Sequence, residues 1–148
     1  MQSDLTKTIW GTKETLHQIN EDQVLSRLCV NGTTSLQVHP SDEYWIVTKT
    51  GEHSKIYIGF TQLITQEEIN ELIDTGKITD VLQEVEPRAG SCFHIPAGMA
   101  HGIVGDDLEI LEIHSKEHTT YRLWDWGRER DLQAEYALDC IKNHGNEC

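Results

Sequence analysis

Strand-type runs occupy both ends of the chain and one helical period interrupts them, an order that disfavours a parallel βαβ sheet. Residues 24–30, 36–38, 44–48 and 55–60 are rich in β-branched and aromatic side chains. Polar or glycine turns such as Asn31-Gly32 and Thr50-Gly51-Glu52 part them. The period then changes. Thr65-Gln66-Glu67-Glu68 has the form of a capping box, Ile69, Leu72 and Ile73 follow at helical spacing, and Gly76 stands where the helix should stop. A second short helix is expected over 80–85, ended by Pro87, which gives a helical insert over 66–85. Strands return at 91–95, 108–114 and 119–123, and Leu132, Tyr136 and residues 138–141 suggest a closing helix. This order fits an antiparallel sandwich or barrel. No Gly-rich strand-to-helix turn exists for a dinucleotide or a P-loop phosphate, and no Gly-x-Ser-x-Gly offers an esterase nucleophile.

At 148 residues the chain is expected to form one domain, 1–148, with a single core. Twelve Lys and Arg stand against 25 Asp and Glu, a net charge of −13. That balance argues against a nucleic-acid groove or an anionic membrane surface. No apolar run approaches the roughly 18–20 residues of a membrane span. The first residues lack the order of a secretory signal, so a cytoplasmic protein is expected. Cys29, Cys92, Cys140 and Cys148 form no C-x-x-C pair and are expected to be buried thiols plus a loose terminal one.

Two segments carry chemistry: Gln37-Val38-His39-Pro40-Ser41-Asp42-Glu43-Tyr44-Trp45, and Gly90 to His101 with Pro96-Ala97-Gly98 inside it. On a strand, Gln37 and His39 share a face. Pro40 ends that strand, Glu43 opens the next, and the turn between can bring carboxylate and imidazole together. Pro96-Ala97-Gly98 is a turn signal after which His101 re-enters the sheet. His39, Glu43 and His101, with the amide oxygen of Gln37, are the candidate ligands. Two imidazoles and a carboxylate with open positions suit a divalent metal.

These residues resemble the paired motifs of the cupin superfamily. Over nearly the whole chain, Ile9-Trp10-Gly11, Ser35 to Pro40, Glu43-x-Trp45, Ile56 to Phe60, Pro96-Ala97-Gly98-x2-His101 and Thr119 to Arg128 resemble the short bacterial type I phosphomannose isomerases. The resemblance implies an all-β, cupin-type antiparallel β-barrel (a jelly roll) with a small helical insert. It implies zinc held by Gln37, His39, Glu43 and His101, Arg122 in the active site, and interconversion of mannose 6-phosphate and fructose 6-phosphate. It departs at Ser41, where the family has a lysine two residues before its glutamate. Lys49 or Lys55 could restore that charge, and Arg88 or Lys55 could join Arg122 in holding a phosphate.

Aldose–ketose isomerisation needs a base that reaches two adjacent carbons. His94 and Glu112 are the candidates. His114 and His118 are expected to be exposed or capping, the four tryptophans to serve the core, and Asp106-Asp107 to form a polar turn. An unpaired strand edge makes a homodimer an expectation. Two other functions stay open: a metal-binding cupin that recognises a sugar or sugar phosphate without catalysis, and an iron-dependent oxygenase, since two histidines and a carboxylate also suit Fe(II).

Overall fold

The computed structural model describes residues 4–143; Cys148, expected to be a loose thiol, lies outside them. Ten strands, β1 (Asp4–Lys7), β2 (Gly11–Gln18), β3 (Gln23–Thr33), β4 (Leu36–Val38), β5 (Glu43–Lys49), β6 (Lys55–Phe60), β7 (Leu82–Val85), β8 (Cys92–Ile95), β9 (His101–Ser115) and β10 (Tyr121–Trp124), form one curled sheet. Helix α1 (Gln66–Asp74) lies between β6 and β7, and α2 (Ala134–Asn143) follows β10. Every strand pairing is antiparallel. The all-β class and cupin-type curl expected from the sequence are what the chain adopts.

The long strand β9 organises the molecule. Its first residues pair with β6 and, at His101, with Gln37 of β4; its later residues pair with β3 on one side and β5 on the other. Alternate side chains therefore enter the interior. Leu108 and Ile110 join Leu28, Val30, Trp45, Val47 and Ile95 in an apolar core. Two residues further along the same face, Glu112 and His114 are also buried, as is Ser26 of β3. The interior thus turns from apolar to polar along its own strands. A second core seals the other side of β4 and β10, where Leu36, Val38 and Leu123 pack against Leu138 and Ile141 of α2 and Ile69 of α1.

Some expectations need correction. Residues 80–85 are not a helix: a 3-10 turn spans Ile78–Val81, and Leu82–Val85 forms β7, paired with β6. Burial of Ile78, Val81 and Leu82 and the open edge of β6 decide this, overriding local propensity. The strand expected over 108–114 begins at His101, running through Gly105, where a Cβ would lie 2.4 Å from Val30. Asp106 and Asp107 therefore lie within β9 rather than in a turn. Strands β1 and β2 were not legible, because their sequences are polar without alternation; β2 forms by pairing along β3. Of the described thiols only Cys140 is buried, while Cys29 is partly so and Cys92 is exposed. Trp45 is a core residue, as expected, but it and Trp10 also line the cavity described next.

Candidate metal centre and cavity

The polar end of the barrel is a cavity of about 480 Å³, within the range of small-ligand sites. Gln37, His39, Glu43, Glu112, His118 and Arg122 line it, with Lys7, Lys13, Thr120 and Arg130 among the others. Local sequence sets the directions. Glu43 shares inward parity with Trp45 and Val47 on β5. Arg122 lies opposite Gln37 in the β10–β4 register, and its neighbour Leu123 points the other way into the second core. The turn after β4 and the loop before β9 are tied together: Gly98 N–H donates to His39 O at 2.9 Å, and Ala97 N–H to Asp42 Oδ1 at 2.9 Å. Gly98 holds φ +81°, which a side chain would resist. Proline and glycine there bring His101 next to His39.

The imidazoles are oriented by backbone carbonyls. His39 Nδ1 donates to Thr119 O at 3.0 Å and His101 Nδ1 to Met99 O at 3.0 Å. In the neutral rings each Nε2 then carries a lone pair. Those lone pairs face Glu43: His101 Nε2 is 3.1 Å from Oε1, and His39 Nε2 is 3.6 Å from Oε2. All three side chains are 1–2% exposed. Acceptor meets acceptor, in a dry place, unless a proton or a cation sits between them. His39 Nε2, His101 Nε2 and both Glu43 oxygens are buried without a hydrogen-bond partner of sound geometry. Unpaired donor atoms on oriented imidazoles around one carboxylate fit a divalent ion, and backbone acceptors on the far ring nitrogens are the usual support of such ligands.

The electrostatics agree. Burial pulls His39 down to about 4, with His101 lowering it further and Glu43 opposing. Burial would raise Glu43, but His101, His39 and His118 hold it down to about 2. Burial disfavours charge on His101 too, yet Glu43 beside it outweighs this and raises it. Glu112 is pushed up to about 7 by burial and by the charge of Glu43. Its Oε2 accepts from Trp45 Nε1 at 2.9 Å, and its Oε1 lies 3.4 Å from Lys13 Nζ.

The structure sorts the expected residues. It gathers His39, Glu43 and His101, and puts Gln37 in the same cavity with its Oε1 accepting from Ser35 at 2.9 Å. Of the two candidate bases, Glu112 lines the cavity; His94 does not, being exposed, stacked on Tyr44 and paired with Asp42 at 2.9 Å. Even parity along β5 and β8 sends His94 outward opposite Tyr44. The cations are not those expected: Lys49 pairs with Asp107 and Lys55 with Glu84, whereas Lys7, Lys13 and Arg130 join Arg122 around the cavity. Ser41 lines a separate depression with Asn20 and Asp22. His118, expected to be exposed or capping, is 17% exposed, and one donor atom each of His118, His39 and Glu43 lie within 4.8 Å of one another. Its loop position gave no period from which to read that. These residues form a possible metal site.

No protein-family profile matches the chain. Among curated proteins it is 30% identical over 127 residues to the mannose-6-phosphate isomerase ManA of Bacillus subtilis, covering 73% of this chain and 40% of that protein. It is 30% identical over 133 residues to the mannose-6-phosphate isomerase of Streptococcus mutans, covering 77% of this chain and 42% of the other. The chain thus spans less than half the length of these relatives. Among solved structures, that of the mannose 6-phosphate isomerase from Bacillus subtilis superposes with a TM-score of 0.74 at 21% identity, covering 84% of this chain and 46% of that one. By these relationships the chain is similar to mannose-6-phosphate isomerases over about three quarters of its length, and its curled antiparallel sheet is the fold of the solved one.

Proposed function

We propose that the chain is a metal-dependent aldose–ketose isomerase acting on a sugar phosphate, with mannose 6-phosphate and fructose 6-phosphate as the pair. The observation that carries this is the buried Glu43 carboxylate faced by the unpartnered Nε2 atoms of His39 and His101, in a cavity that also holds Glu112, Lys13 and Arg122. His39, Glu43 and His101, with Gln37 beside them, would hold the ion, zinc being the expected one. A divalent ion there supplies Lewis acidity at the sugar oxygens as negative charge develops.

The chain's own groups do the rest. Isomerisation removes a proton from C2, passes through an enediol, and returns a proton to C1. Glu112 is the carboxyl that carries the proton, held by Trp45 and close to Lys13. Arg122, whose Nη1 contacts only Asp131 O at 3.4 Å among the described residues, offers its planar fork to phosphate or enediolate oxygens. Lys7 and Lys13 give the cavity a local positive field that a chain of net charge −13 otherwise lacks.

The test is a coupled assay of mannose 6-phosphate with purified protein, with and without chelator, alongside metal analysis. Turnover that chelator removes, zinc restores and Arg122→Ala lowers about 100-fold, or ~2.7 kcal/mol, is expected. Bound metal and bound sugar phosphate with no turnover would replace this proposal with a recognition module.

A further inference from the structure

We infer that His118 is a third imidazole ligand: one donor atom each of His39, Glu43 and His118 lie within 4.8 Å of one another, and His101 joins them through the other Glu43 oxygen at 3.1 Å. This rests on the metal-dependent reading above and extends it to a residue outside the two His-bearing segments. His118 sits between β9 and β10, one residue before Thr119, whose carbonyl fixes the His39 ring. Its Nε2 is 3.9 Å from Glu43 Oε2, and its ring centroid is 4.1 Å from that of His39. Its Nδ1 is buried with no hydrogen-bond partner.

His114 supplies the contrast. It is also buried, and its ring lies 4.6 Å from that of His118, but both of its nitrogens are engaged. Nε2 meets Ser26 Oγ at 2.9 Å and Nδ1 meets Ser115 O at 2.8 Å. That is how a structural histidine satisfies itself in an interior. His118 lies against the same rings without that satisfaction, and a buried polar atom left unpaired is costly. Ligation through Nδ1 removes the cost, with Nε2 left toward Glu43. Gln37, also expected as a donor, has its Oε1 accepting from Ser35 Oγ at 2.9 Å, which orients the amide and leaves it a second lone pair. A shell of three imidazoles and one carboxylate suits Zn(II), Co(II), Ni(II) or Fe(II) and disfavours Mg(II).

The experiment strips the full chain with chelator and titrates it with Co(II). It compares the parent with His118→Gln, His118→Phe and the exposed-site control His94→Ala. Co(II) affinity is read by chelator competition, geometry by visible absorption, and the imidazole count by X-ray absorption on the zinc-loaded protein. The parent should show three imidazoles. The two His118 variants should show two and lose more than about 100-fold in affinity, beyond the 10–100-fold of a residue that only orients a ligand. The control should match the parent. Two imidazoles in the parent, or an unchanged count and spectrum in the variants, would overturn the inference. If neither variant folds, the parent's count decides alone, three supporting and two refuting. A parent that binds neither metal refutes both this inference and the metal-dependent function. Three imidazoles without turnover refutes the function only.

Discussion

Lys13 Nζ lies 3.4 Å from Glu112 Oε1 inside the cavity, whereas Ser41, which stands where the family's lysine is expected, lines another depression. Ser41 is not among the residues that line the cavity, whereas Lys13 on β2 is and sits beside Glu112. Lys13→Gln should lower isomerisation about tenfold or more, ~1.4 kcal/mol, while Ser41→Lys should not raise it. Steady-state rates with mannose 6-phosphate check both; a gain from Ser41→Lys would return the role to that turn. The residues that sequence alone brought together, His39, Glu43 and His101, were legible because strand parity and Pro/Gly turns are local rules. Lys13 and His118 were not. One sits on a polar strand without alternation and the other in a loop, so only their pairing partners aim them.

At the scale of elements, α1 is the case where local chemistry sufficed. Thr65 Oγ1 accepts from Glu68 N–H at 3.1 Å and Glu68 Oε2 accepts from Thr65 N–H at 3.4 Å, the reciprocal pair expected of a capping box. Ile69 anchors the helix, and Gly76 at φ +71° follows its end. Thr65→Ala should cost about 1 kcal/mol, read as a lower denaturant midpoint at unchanged slope. The cavity's chemistry should not change, since α1 packs on the far side of β4 in the second core. Residues 82–85 show the opposite case. Leu-Gln-Glu-Val suits a helix as well as a strand, and the unpaired edge of β6 decides for the strand.

For the molecule as a whole, ion binding and acid stability are linked to folding. The proposed ligands come from β5, β9, the turn after β4 and the segment between β9 and β10, which are brought together only in the folded state, so an ion bound there would stabilise it. Zinc at 100 times its Kd should add about 2.7 kcal/mol, raising Tm, and chelator should reverse this. Glu43→Gln should abolish the shift; a shift that survives would move the ion elsewhere. Asp125 governs the acid side. Burial alone would raise it, but hydrogen bonds from Arg130 at 2.7 Å and Arg128 at 2.6 Å hold it below its ordinary 3.8. The folded state then binds this proton more weakly than the unfolded chain, so its stabilisation is present above about 3.8 and is lost as pH falls through the lowered value. Asp125→Asn should cost about 1–3 kcal/mol at pH 7 and flatten the loss of stability between pH ~4 and ~2. Urea midpoints across that range give the answer.

Read alone, the sequence determined the strand–helix–strand order, the antiparallel class, the capped helix and the grouping of His39, Glu43 and His101. Each of these follows from periodicity, caps and turns that act over a few neighbouring residues. Tertiary structure decided the rest: that β9 extends from His101 to Ser115, that β7 pairs with β6, and that Glu112 rather than His94 enters the cavity. It also decided that Lys13 and His118 join the site. The reason is physical. Inward or outward direction in a curled sheet is set by register with partner strands distant in the chain, and register is a property of the assembled sheet.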